Sequence, residues 1–157
     1  MMMYNTHFAL REAPFGLTPD TTYAFACTPH QEALNTLLIA AANGEGFMKV
    51  TGEVGTGKTL LCRRFLSQLD DDSVSAYIPN PLLDPHGLLL ALAEELHVAC
   101  DRDEDQHRLL KALNQALLDY ARAGKRVVVC LDEAQAMPLE TLESLRLLSN
   151  LETEKRK

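Results

Sequence analysis

The stretch Gly52, Glu53, Val54, Gly55, Thr56, Gly57, Lys58, Thr59 reads G-E-V-G-T-G-K-T and satisfies the pattern G-x-x-x-x-G-K-[ST]. Glycines at these positions let main-chain N–H groups converge on a polyphosphate with no Cβ in the way. Lys58 supplies a point charge for the outer phosphates, and the Thr59 hydroxyl is a ligand for Mg²⁺. A helix starting at the end of the loop adds the positive end of its dipole, so Leu60 completes the set of backbone donors that begins at Gly52. The pattern has meaning only between a strand and a helix. Residues 47–51, F-M-K-V-T between two glycines, predict the strand, and residues 60–69, L-L-C-R-R-F-L-S-Q-L, repeat apolar positions at helical spacing. A glycine-rich turn that binds nothing is the alternative. The correct flanks and the Lys-Thr pair favour a nucleotide.

Composition sets bounds around this loop. The 157 residues suit one domain with a core of useful size, and 46% hydrophobic with 24% charged content is ordinary for a globular chain. A net charge of −7 argues against a broad nucleic-acid-binding face. No apolar run reaches bilayer-spanning length, and residues 1–11 lack the apolar core of a signal peptide, so a cytoplasmic chain without membrane insertion is expected. Cys27, Cys62, Cys100 and Cys130 are widely separated with no C-x-x-C pair, which predicts reduced thiols rather than a metal site. His7, His30, His86, His97 and His107 show no ligand spacing, which leaves them surface or capping roles.

Along the chain, residues 1–27 read as an irregular arm with a few apolar anchors, and residues 28–157 as the domain that carries the phosphate loop. Thr28, Pro29 and Gln31 predict a capped helix that ends at Asn43-Gly44. A second strand is predicted over residues 74–78, stopped by Pro79 and Pro81. Asp84-Pro85 opens a helix to about residue 97. The acidic stretch 101–105 opens another, which Gly124 ends. V-V-V-C-L at 127–131 predicts a strand buried on both faces, and Met137-Pro138 precedes a last helix with Leu142, Leu145, Leu148 and Leu151 on one side. Strands alternating with helices predict an α/β fold with a parallel sheet.

The apolar strand runs into Asp132-Glu133. Carboxylates there lie at the carboxyl edge of the sheet, where open α/β folds bind ligands. Asp132 is a candidate to hold Mg²⁺ through water, and Glu133 to polarise an attacking water. Capping of the next helix is the bland alternative. A dinucleotide site is disfavoured because no G-x-G-x-x-G follows a strand.

With both elements in view the chain resembles a known family. The loop and V-V-V-C-L-D-E-A-Q at 127–135 look like the Walker A and Walker B elements of AAA+ ATPases. The arm F-x-L-R-E-x-P-F-x-L-T-P-D at 8–20 brings the chain closer to the general secretion pathway protein A ATPases. Y-I-P-N-P-L-L at 77–83 and the ending L-x-N-L-E-T-E-K-R-K at 148–157 look most like the MSHA-type pilus biogenesis branch. The resemblance covers essentially the whole chain. It implies a P-loop three-layer αβα sandwich of the AAA+ type, ATP and Mg²⁺ as cofactors, and Lys58, Thr59, Asp132 and Glu133 in the Walker roles. It also implies a homo-oligomer in the full-length protein, with pilus or secretion components at the inner membrane as partners. Asn80 holds the place of the polar residue that restrains the catalytic glutamate in such proteins, and an Asn between two prolines is equally a good turn residue. Pro14-Phe15 would lie near the adenine, or else pin the arm to the core.

The AAA+ pattern continues beyond this sequence with a fourth strand carrying sensor 1, a fifth strand and a helical lid. Ser149-Asn150 falls inside helical periodicity and is not taken as sensor 1, and Arg146 and Arg156 read as solvated charges rather than arginine fingers. In that pattern the fourth strand separates the first from the third. Here those two are expected to pair directly, stay unpaired or recruit a strand from elsewhere. The isolated chain is therefore expected to be marginal or aggregation-prone and to hydrolyse ATP poorly. Three functions fit these residues: an ATPase for pilus or secretion assembly, a DNA-associated AAA+ ATPase of the transposition-helper kind, and a nucleotide-gated scaffold without turnover. The acidic balance opposes the second and Glu133 the third.

Overall fold

A computed structural model describes residues 3–11, 27–101 and 105–149. Most of the arm, including Pro14-Phe15, and the stretch 150–157, including Leu151 and Arg156, lie outside the described residues. The elements are α1 (Met3–His7), α2 (Thr28–Asn43), α3 (Lys58–Ser67), β1 (Ser73–Ile78), α4 (Pro85–Glu95), α5 (Gln106–Arg122), β2 (Arg126–Leu131), a 3₁₀ turn (Ala134–Ala136) and α6 (Leu139–Ser149). Among the described residues of the arm, 3–7 form a short helix where the sequence reads as irregular.

Local chemistry explains most boundaries. Asp84 takes the N–H of Gly87 at 2.8 Å with Pro85 in the first turn of α4, and Asp105 takes that of His107 at 3.2 Å to open α5. Gly44, at φ 77, closes α2 with its N–H on Ala41 O and that of Glu45 on Ala40 O. The start of α2 departs from expectation. Cys27 occupies the cap position without a side-chain bond, Thr28 is already helical, and Gln31 bonds Asn35 instead of reaching back to the cap.

β1 and β2 form a parallel pair in register from Ser73 opposite Arg126 to Ile78 opposite Leu131, with α4 and α5 in the crossover. Arg126 N–H on Asp72 O and Asp132 N–H on Ile78 O extend the ladder at each end. Main-chain groups alternate sides along a strand, so those of Val127, Val129 and Leu131 face the other edge of β2. The outer edge of β1 is treated differently: the Tyr77 N–H donates to the Glu95 carboxylate at 2.8 Å.

Residues 47–51 are not a strand, contrary to the sequence reading. Phe47 is 73% exposed, and Met48 and Val50 also reach the surface. A strand is defined by a ladder, and β1 and β2, the strands of the described sheet, pair with each other. Of the three outcomes open for this segment, the unpaired one is observed.

Helices cover both faces of the pair. On one, Ala76 and Ile78 meet Leu88, Leu89, Leu92, Ala93 and Leu96 from α4 and its end, Leu109 and Leu113 from α5, and Leu148 from α6. On the other, Val128 meets Leu34 and Ala41 of α2 with Leu61 and Phe65 of α3. Leu34, Leu88, Leu89, Leu109 and Leu113 are essentially fully buried. Each such leucine contributes about 1.5–3 kcal/mol relative to exposure. β2 is less buried than its unbroken apolar run predicts, with Val129 38% exposed, because among the described residues it has a strand on one side only. The leucine side of α6 is only partly used: Leu148 is buried and Leu145 packs beside it, while Leu142 is exposed. Thr141 anchors that helix instead, fully buried, its hydroxyl donating to Leu83 O at 2.7 Å.

Candidate nucleotide-binding site

The loop before α3 is shaped by two left-handed glycines, Gly55 at φ 80 and Gly57 at φ 81. Gly57 is the N-cap residue of α3 and has no side chain to satisfy the helix start. Leu61 N–H closes the first helical bond on Gly57 O at 2.9 Å. Among the described residues, no protein acceptor meets the N–H groups of Gly57, Lys58, Thr59 or Leu60. Four donors and a helix dipole therefore gather at one point, which is the donor chemistry an anion requires.

Lys58 folds back over the loop, its ammonium donating to Gly52 O at 2.9 Å and Glu53 O at 2.7 Å. Thr56 donates its hydroxyl to Glu53 O at 2.8 Å. Gly52 allows this closure, since a Cβ there would stand 2.8 Å from Thr56 Oγ1. Val54 is wholly exposed at the tip. His30, from the first turn of α2, meets Thr56 O through Nε2 at 2.7 Å. The sequence reading assigned His30 no role here, because 26 residues separate it from its partner and the partner is a main-chain oxygen.

The acidic pair leaves the end of β2. Asp132 is 7% exposed. Its Oδ2 accepts the Tyr77 hydroxyl at 3.1 Å and its Oδ1 the Glu133 N–H at 3.0 Å. A carboxylate has about four acceptor positions, so room remains for a cation or its water. The Arg63 guanidinium lies over the Tyr77 ring, 5.9 Å from its centre. Burial pushes the Tyr77 phenol above its ordinary value, the bond to Arg63 opposes this, and the charge of Asp132 adds to the rise. Cys62 of α3 and Cys130 of β2 are free thiols. Their mutual influence raises Cys130 far above the thiol range, with burial adding to the rise, and lowers Cys62 against burial and the Asp132 charge. Asp132 is therefore within electrostatic reach of α3 at Cys62, and Thr59 stands one turn earlier on the same helix face. A hydroxyl and a carboxylate are hard oxygen donors suited to Mg²⁺.

Glu133 differs from its neighbour in every respect. Its backbone is left-handed (φ 52, ψ 35), its side chain is exposed, and its carboxylate accepts a bond from Gln135. No hydrogen bond joins it to Asn80. The Asn80 amide oxygen accepts the Leu82 N–H at 3.2 Å, the contact expected of a turn residue.

A family model for an AAA domain matches residues 41–157, which contain the loop, both strands and the acidic pair. The chain belongs to the AAA domain family. The described α/β arrangement is accordingly part of a P-loop NTPase fold, and the AAA domain is, in general terms, a nucleotide-binding ATPase module. The chain is also 43% identical over 155 residues to General secretion pathway protein A of Aeromonas hydrophila, spanning 99% of this chain and 28% of that protein. No solved structure matches it. Among the described residues no helix of this AAA chain is long and apolar enough to cross a membrane.

Proposed function

We propose that this AAA chain binds ATP with Mg²⁺ at residues 52–60 and hydrolyses it, as the nucleotide module of a longer homo-oligomeric protein. That protein would serve assembly of a secretion apparatus or an MSHA-like type IV pilus, peripherally at the inner membrane. The likeness to a general secretion pathway protein supports this setting. The observation that carries the reading is the loop itself: four helix-start donors without protein acceptors, beneath a lysine whose ammonium rests on two carbonyls that a phosphate would replace.

In this reading the N–H groups of Gly57, Lys58, Thr59 and Leu60 grip the phosphates, and Lys58 moves from Gly52 O and Glu53 O to the outer phosphates. Thr59 and Asp132 hold the Mg²⁺, which neutralises phosphate charge when bound. The Glu133 carboxylate, open to solvent, orients and deprotonates the attacking water. Asn80 acts as the switch on Glu133 only by leaving its bond with Leu82. Calorimetric titration with ATP and Mg²⁺ tests the core of this reading. Binding by the parent chain, lost in Lys58→Ala and weakened in Asp132→Asn only when Mg²⁺ is present, is the expected result. Equal affinity of the Lys58→Ala chain defeats it. If Asn80→Ala alters neither basal nor partner-stimulated turnover, Asn80 is a turn residue alone.

A further inference from the structure

We infer that His30 is a positioning residue of the phosphate-binding loop: its imidazole holds the Thr56–Gly57 peptide so that the Gly57 N–H faces the phosphates. The inference rests on the nucleotide reading of that loop. No cis peptide bond occurs among the described residues, and across a trans peptide the C=O and N–H point in opposite directions. His30 Nε2 is 2.7 Å from Thr56 O. A donor fixed on one side of this peptide therefore turns the Gly57 N–H to the other side, away from α2. There it joins the unpartnered N–H groups of Lys58, Thr59 and Leu60.

This peptide needs an external hold. Gly57 sits at φ 81, and glycine populates positive and negative φ with similar ease. The loop sequence alone leaves the peptide free to turn over, presenting the Thr56 carbonyl to the phosphates and withdrawing a donor. The Thr56 side chain does not prevent this, because its hydroxyl is committed to Glu53 O. His30 does, and it is itself well placed to. It lies in the first turn of α2, whose Leu34 is completely buried against α3 and β2. The contact is also steric: a Cβ at Gly57 would come within 3.3 Å of His30 Cε1. Glycine at 57 thus meets two demands, a left-handed backbone and room for the imidazole. Both the Nε2–H neutral tautomer and the imidazolium donate to Thr56 O.

Two substitutions separate the bond from the packing. His30→Phe keeps a ring against Gly57 and donates nothing, while His30→Gln restores an amide donor. In the parent chain and both variants, calorimetry gives the ADP affinity, a thermal melt without nucleotide gives the stability, and ¹⁵N spectra of glycine-labelled protein give the Gly57 amide. His30→Phe is expected to weaken ADP binding about tenfold or more, with a melt close to the parent's and a displaced or broadened Gly57 resonance. His30→Gln is expected to recover most of the affinity and a single sharp Gly57 signal. Parental affinity and an unmoved Gly57 resonance in His30→Phe overturn the inference. So does a loss of affinity that follows the melting temperature and is not restored by Gln. Failure of the parent chain to bind ADP defeats the nucleotide reading instead, and the Gly57 resonance in nucleotide-free protein still decides whether His30 holds the peptide.

Discussion

Replacing Glu133 by glycine should raise stability and remove turnover together, through two separable causes. Glu133 sits at φ 52, ψ 35. That left-handed conformation costs an L-residue with a Cβ about 1–2 kcal/mol. Glu133→Gly removes the strain and adds about 0.5–1 kcal/mol of unfolded-chain entropy to be overcome. The exposed bond from Gln135 contributes little. The net expectation is a gain of about 0.5–1 kcal/mol, or roughly 1–4 °C in melting temperature for a chain of this size. Glu133→Gln keeps the Cβ, the chain length and the strain, so its melt should match the parent's. Placed in the longer protein, both variants lack the general base and should lose about 10²- to 10⁴-fold in turnover while still binding ATP. Thermal melts by circular dichroism and phosphate-release assays read the two effects independently. A Glu133→Gly chain that melts below its parent refutes the strain argument. A Glu133→Gln chain that turns over at the parental rate refutes the assignment of the base.

His97, at φ 55, holds the same kind of conformation where it closes the end of α4, with Val98 N–H on Ala93 O at 2.8 Å. His97→Gly should likewise gain about 0.5–1 kcal/mol, and ADP affinity should be unchanged; a stability loss in urea denaturation contradicts this. Tyr77→Phe removes one of the two bonds to the buried Asp132 carboxylate. It should cost about 1–2 kcal/mol, and an unaltered urea midpoint would show that the hydroxyl contributes nothing. Thr141→Val strands the Leu83 carbonyl behind α6 and should cost about 1–3 kcal/mol, read as a lower melting temperature.

What the sequence revealed is what depends on neighbours in the chain. The glycine-rich turn before α3, the Asp84 cap, the acidic opening of α5, the Gly44 helix end and the placing of Asp132 at the tip of β2 follow from residue type and short spacing. Contacts set by register and docking were not legible. Tyr77 reaches Asp132 across 55 residues only because β1 and β2 pair with Tyr77 opposite Cys130. The mutual influence of the free Cys62 and Cys130 thiols depends on how α3 docks, and His30 reaches a carbonyl, which leaves no signature in side-chain pattern. Residues 47–51 show the converse failure. F-M-K-V-T carries strand propensity, but propensity does not supply a partner, and the segment lies exposed.

The Glu95 carboxylate that receives the Tyr77 N–H gives the sheet a direction of growth. It occupies the position along β1 where the carbonyl of an incoming strand would dock, and it brings a full negative charge to that place. A strand approaching from this side must evict an acid and set its own oxygens against it. Among the described residues no carboxylate takes a main-chain N–H of Val127, Val129 or Leu131, and Val129 offers an apolar side chain at the surface. Among the described residues the two edges of the sheet are therefore unequal: the β1 edge carries an acid, and the β2 edge, on the strand that runs into the acidic pair, does not.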